Sequence, residues 1–140
     1  PKNLIVLVGT PIKELIDYCG GLKFEDSVVI IGGTMTGFRA HSLDIPITKT
    51  GFGIIVLSPE EFKEYESRVC IRCAKSVDAC PVYISPVRIT DYINSGMIEE
   101  AEAMSLQSCI ECGSCAYVCP ASRPLLRWLR KGKALAREKN

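Results

Sequence analysis

The chain has 140 residues, of which 47% are apolar and 24% charged, and its formal net charge is +1. That balance fits one ordinary domain or two small ones and excludes a disordered chain. Near-neutral charge, with no aromatics interleaved among the basic residues, excludes a dedicated nucleic-acid binder, and no apolar run is long enough for a transmembrane span.

No basic and apolar leader opens the chain, so no signal peptide is expected. Leu4–Val8 is a short apolar run that predicts a buried strand. Thr10 and Pro11 then predict a helix start, with the threonine as cap and the proline at the first helical position. Ile12, Leu15 and Ile16 share one face of that helix, and Gly20-Gly21 stops it. Val28–Ile31 predicts a second strand. Gly32–Gly37 follows it without the G-x-G-x-x-G spacing of a phosphate cradle, which favours a backbone turn. Residues 52–57 predict a third strand. Strands around one helix predict a small β-grasp-like domain over residues 1–57.

Ser58-Pro59-Glu60-Glu61 has the form of a capping box and predicts a linker helix over 58–69. Ser85-Pro86 predicts another helix, stopped at Asn94-Ser95-Gly96, and Ile98–Met104 a further one. Pro124 predicts a final helix carrying Leu125, Leu126, Trp128 and Leu129 and ending in basic residues. Two helices between the cysteine runs described next favour an all-α helical ferredoxin domain over 70–140. The predicted fold class is α+β.

Seven of the eight cysteines fall in two copies of one pattern. The second is complete: Cys109, Cys112, Cys115 and Cys119-Pro120, a C-x2-C-x2-C-x3-C-P run. The first has Cys70, Cys73 and Cys80-Pro81 in the same register, with Ser76 at the third ligand position. A cubane needs four thiolates around a small volume, and three residues spaced by two can wrap it in one loop. The fourth cysteine, stiffened by the following proline, reaches across to the other cluster. Zinc has no use for this spacing, and a disulfide framework would need an oxidising compartment.

The crossed assignment gives one complete [4Fe–4S] site of Cys80, Cys109, Cys112 and Cys115. The other has Cys70, Cys73 and Cys119, with Ser76 in place of the fourth thiolate. A serine oxygen is a poorer partner than sulfur for a soft iron–sulfide centre. Three arrangements stay open there: a four-iron cluster completed by Ser76, water or another ligand; a [3Fe–4S] cluster; or no stable cluster. Nothing nearby pairs a nucleophile with a base, so one-electron transfer is the expected chemistry and no catalytic residue is assigned. Cys19 reads as an inert thiol and His41 as a loop residue. The basic end around Arg127, Arg130, Lys131, Lys133 and Arg137 reads as a solvated helix or a dock for an acidic redox partner or anionic membrane.

The glycine motifs Gly9-Thr10-Pro11-Ile12, Cys19-Gly20-Gly21 and Ile31-Gly32-Gly33 carry a resemblance when taken with Lys49-Thr50, both cysteine runs and Arg123-Pro124-Leu125-Leu126. Together they resemble the C subunit of the Rnf electron-transport complex over nearly the whole chain. The resemblance implies a soluble-ligand-binding β-grasp domain followed by a helical ferredoxin domain with two [4Fe–4S] clusters. It implies an electron relay in a ferredoxin:NAD oxidoreductase coupled to sodium or proton movement, peripheral on the cytoplasmic face of the membrane. Other subunits and a ferredoxin-type protein are the implied partners. The family has cysteine where this chain has Ser76 and usually glycine where it has Ala74. The family's NADH and FMN sites lie in an N-terminal domain not matched here, so no nicotinamide or flavin site is expected, and the chain reads as a C-terminal fragment lacking the first β-grasp strand. Two other functions compete: a partner-docking module with one impaired cluster, and the relay of a cobalamin-reductase-like enzyme.

Overall fold

A computed structural model describes residues 1–51, 53–63 and 65–139, the last without its side chain. The chain divides into two compact units, residues 1–64 and 65–140.

The first unit packs helix α1 (Ile12–Tyr18) against a three-stranded antiparallel sheet of β1 (Val28–Ile31), β2 (Phe38–Arg39) and β3 (Ile54–Leu57). β1 is central, and its whole length pairs with β3, from Val28 opposite Leu57 to Ile31 opposite Ile54. A central strand buried on both faces needs a continuous apolar run, which Val28–Ile31 supplies. The core is Ile12, Ile16, Val29, Ile31 and Ile47. At the end of α1 the Gly21 N–H reaches back to the Ile16 carbonyl at 2.9 Å, a closure that needs the left-handed backbone at Gly20 and Gly21. Gly32–Gly37 is the β1–β2 connection, as a backbone turn requires. A Cβ on Gly37 would stand 2.5 Å from the Gly33 carbonyl oxygen, so only glycine fits.

Three expectations are corrected in this unit. Leu4–Val8 is not a strand: it pairs with no ladder, Ile5 and Leu7 are exposed, and Val6 is its residue packed on the core. An apolar run becomes a strand only where an edge accepts its hydrogen bonds. Thr10 does not cap α1. Its hydroxyl donates to the Leu7 carbonyl at 2.8 Å, while Pro11 stands at the cap in extended conformation. The helix over 58–69 is absent. The capping box forms, with the Ser58 N–H donating to Glu61 Oε2 at 2.9 Å, and one turn follows. No described residue from 58 to 69 is helical. Nucleation needs propagation: Phe62, Tyr65 and Val69 stand at helical spacing, but Tyr65 and Val69 are exposed, so no packed face supports a helix among the crowded carboxylates. Of the third predicted strand, residues 54–57 form β3, and residue 52 lies outside the described residues.

The second unit holds α2 (Lys75–Asp78), α3 (Pro86–Asn94), α4 (Ile98–Ala103), a short 3-10 turn at Leu106–Ser108, α5 (Ser114–Tyr117) and α6 (Leu125–Lys139). Pro86 opens α3 at its first turn, and Gly96 closes it, as the sequence predicts. α3, α4 and α6 pack together through Ile89, Ile93, Ile98, Ala101, Leu125 and Leu129. Gly132 lets α6 approach α3. A Cβ there would collide with Ile93 Cδ1 and lie 2.7 Å from its Cγ1. Buried Thr90 satisfies its hydroxyl within α3, donating to the Val87 carbonyl at 2.8 Å. Among the described residues no helix is long and apolar enough to cross a membrane.

Candidate iron–sulfur centres

The two cysteine runs fold alike, residue by residue. Arg72 in the first and Glu111 in the second have left-handed backbone, with φ of 54° and 57°; Ala74 and Gly113 follow at 61° and 81°. The paired positive φ values turn each loop inward. The Arg72 N–H donates to Cys70 Sγ and the Glu111 N–H to Cys109 Sγ, both at 3.4 Å. Each loop then enters a single-turn helix, α2 or α5, whose buried residue is Ser76 in one and Cys115 in the other. The serine therefore faces inward as its cysteine counterpart does.

The fourth cysteine of each run lies with the other run. Cys80 lines one hollow with Cys109, Cys112 and Cys115. Cys119 lines a separate cleft with Cys70, Cys73 and Ser76. Among the described residues no three His, Cys, Asp or Glu side chains converge closely enough to hold a single metal ion. Four soft sulfur donors in the hollow, and three with the Ser76 hydroxyl in the cleft, fit iron–sulfur groups by their chemistry.

The two settings differ in burial. Cys80, Cys109 and Cys115 are buried and Cys112 is half-buried. Burial pushes the Cys115 thiol up to about 11, with the neighbouring thiols adding to it, and raises Cys109 as well. Hydrogen bonding with the Ser114 side chain, then with its backbone, holds Cys112 below the usual thiol range. Assembling a centre on buried thiols of this kind releases protons. In the other cleft Cys73 is exposed, Cys70 and Cys119 are half-buried, and Ser76 alone is buried.

Contacts invisible in the spacing support both loops. Glu111 accepts from Arg130 Nε at 3.0 Å and from Lys133 Nζ at 3.3 Å. Lys133 also donates to the Cys109 carbonyl at 2.6 Å. Burial opposes the Glu111 charge, but these two cations outweigh it and hold its carboxyl below the ordinary range. So Arg130 and Lys133, read from sequence as part of a solvated or docking end, are turned inward onto the second loop. Their spacing of three on one helix was the available signal. Arg123, after the second run, bonds Asp91 at 2.8 Å; burial opposes its charge, but Asp91 and then the Cys70 thiol keep its pKa raised. The Arg68 N–H donates to the Ala121 carbonyl at 2.8 Å, tying the chain before Cys70 to the chain after Cys119. Cys19 lies exposed in the first unit, and His41 is also exposed.

Paired cysteine loops on a helical frame have the donor chemistry of an iron–sulfur protein. Residues 62–120 match the family described as a 4Fe-4S dicluster domain. The chain is 41% identical over 133 residues to the C subunit of the ion-translocating oxidoreductase complex of Methanosarcina acetivorans, covering 95% of this chain and 30% of that protein. It is 40% identical over 102 residues to the C subunit of the proton-translocating ferredoxin:NAD(+) oxidoreductase complex of Clostridium ljungdahlii, covering 73% of this chain and 22% of that one. Against the Na(+)-translocating counterpart of Acetobacterium woodii it is 38% identical over 133 residues, covering 95% of this chain and 30% of that one. The chain is a homologue of a segment of the C subunit of the ion-translocating oxidoreductase complexes, and it spans less than a third of the length of these relatives.

Proposed function

We infer that this chain is the electron-relay segment of a membrane-associated ferredoxin:NAD oxidoreductase, passing single electrons through two iron–sulfur centres. Cys70, Cys73 and Cys119 would hold the first, with Ser76 at its fourth corner. Cys80, Cys109, Cys112 and Cys115 would hold the second. The observation that carries this reading is the division of the eight positions into two sets of four, each taking one member from the other run.

A bound cluster supplies a one-electron acceptor and donor. The protein's part is to hold and shield it. The loops aim backbone N–H groups at sulfur, and Leu129 and Ile84 help exclude water from the second site. Lys133 and Arg130 fix the orientation of the second loop through Glu111.

On the same reading residues 1–57 form a soluble-ligand-binding β-grasp domain, and residues 70–140 a helical ferredoxin domain. The chain would work on the cytoplasmic face of the membrane, peripheral to it, against other subunits and a ferredoxin-type partner. The nicotinamide and flavin chemistry would lie outside this segment.

Ser76 favours one competing reading, in which the first centre is impaired and the segment mainly docks partners. Anaerobic reconstitution with iron and sulfide separates the two. A relay binds about eight irons, or about seven with a three-iron first centre, and gives reversible one-electron EPR signals from both centres. About four irons would leave the docking reading, and none would refute electron transfer by this chain.

A further inference from the structure

The cleft of the first centre has a charge pattern that the second lacks. Arg68, Arg72, Arg88 and Arg123 line it, and Asp91 is its only carboxylate. Asp91 is committed to Arg123. No ion pair joins Arg68, Arg72 or Arg88 to a carboxylate among the described residues, and all three are exposed. The hollow of the second centre has Glu111 as its only charged lining residue, and that charge is met by Arg130 and Lys133. With a net charge of +1 for the whole chain, the three unpaired guanidiniums are a local concentration rather than a general basicity.

The same rim is apolar where it is not cationic. Val69 is 89% exposed and Ile71 67%, with Val77 beside them at the edge of the cleft. Arginine set among exposed aliphatic side chains is the composition of a protein-binding patch. Guanidinium gives up water more readily than ammonium and grips carboxylates through two parallel bonds. An anionic membrane asks for a flat, extended basic face. This surface is a concave one with the least buried thiol of either set, Cys73, in its lining.

Resting on the relay reading above, we propose that the arginine-rimmed cleft around Cys70, Cys73 and Cys119 is the docking surface for a one-electron carrier protein whose own redox centre is ringed by carboxylates. One electron would leave the reduced carrier, oxidising it by one unit, and a cluster held by Cys70, Cys73 and Cys119 would accept it. No bond forms or breaks and no proton moves. The open cleft would leave such a cluster accessible to the carrier, while the arginines would hold the carrier in register and raise its encounter rate.

The test uses the full chain reconstituted with iron and sulfide, reduced by a small acidic two-cluster ferredoxin in stopped-flow, with binding of the oxidised ferredoxin measured separately. The double variant Arg68→Glu, Arg88→Glu should slow reduction at low ionic strength at least tenfold and remove most of its salt dependence, and weaken binding in parallel. Iron content and the dithionite-reduced EPR signal check that the variant is folded; if it loses iron, Arg68→Gln, Arg88→Gln replaces it, with a smaller loss expected in the same direction. Arg137→Glu, the same change of charge on α6 away from the cleft, should leave the rate as it was. A carrier rate that the cleft variants do not change overturns the proposal, as does a loss produced equally by Arg137→Glu. So does arginine-dependent binding to phosphatidylserine vesicles without any effect on the carrier. If dithionite reduces no centre yet carrier binding still depends on Arg68 and Arg88, the relay reading fails and the docking surface stands.

Discussion

Ser76 occupies in α2 the place that Cys115 occupies in α5, and the two are buried alike, at 6% and 7% exposure. The hydroxyl thus stands inside the cleft with Cys70, Cys73 and Cys119, not on its rim. Ser76→Cys should complete the thiolate set and yield about eight irons, with both centres reducible. Ser76→Ala removes the oxygen as well and should leave a three-iron centre or none there. Iron analysis with EPR of all three proteins decides it. Equal iron in wild type and Ser76→Ala would show that the hydroxyl plays no part in holding the cluster.

Ala74 and Gly113 share one left-handed backbone position, and only Gly113 adopts it without a steric cost. Ala74→Gly should stabilise the second unit by about 1 kcal/mol. Anaerobic denaturant unfolding measures this. Destabilisation of similar size would mean that the alanine methyl group contributes packing that outweighs its strain.

Gly132 lies inside α6, where helix propensity alone would favour alanine. The Ile93 side chain fills the space a methyl group would need. Gly132→Ala should therefore destabilise the protein by about 1–3 kcal/mol through overpacking. A raised unfolding temperature would show that α3 and α6 can separate freely.

Glu111→Gln keeps the shape of the second loop and removes the charge that Arg130 and Lys133 meet. The two cations would then act on the second centre without a counter-charge, favouring its reduced form. Its midpoint potential should rise, read by an EPR-monitored redox titration. An unmoved potential would mean that solvent screens the triad completely.

Glu61 is held below its ordinary pKa, first by its backbone bond to Ser58 and then by the Ser58 hydroxyl. A depressed folded pKa contributes stability that is complete above the unfolded value and is lost as pH falls through the folded one. The Ser58 turn should stay closed at neutral pH and open below about pH 4.5, followed by the Ser58 amide shift in NMR. In Ser58→Ala the depression should shrink.

The cysteine spacing was readable because two-residue intervals and a following proline leave the chain few ways to place thiols around one volume. Helix stops at Gly21 and Gly96 were equally plain, since few residues other than glycine accept that backbone. Leu4–Val8 and the segment after Ser58 misled for one shared reason: a local signal states what a segment prefers, while pairing or packing decides whether it gets it. Arg130 and Lys133 looked like part of a solvated or docking end because their partner Glu111 is distant in sequence. The cleft arginines come from three separate stretches, and only the fold gathers them.

The backbone bond from Arg68 to Ala121 has a consequence for how the first centre is built. Cys70 and Cys119 lie two residues inside its ends, so a hydrogen bond of the bare polypeptide already closes the longest loop between that centre's ligands. Part of the entropy of bringing them together is thus met by the backbone rather than by the cluster's ligands. Closure of that loop therefore rests on a bond outside the ligand set as well as on the ligands themselves.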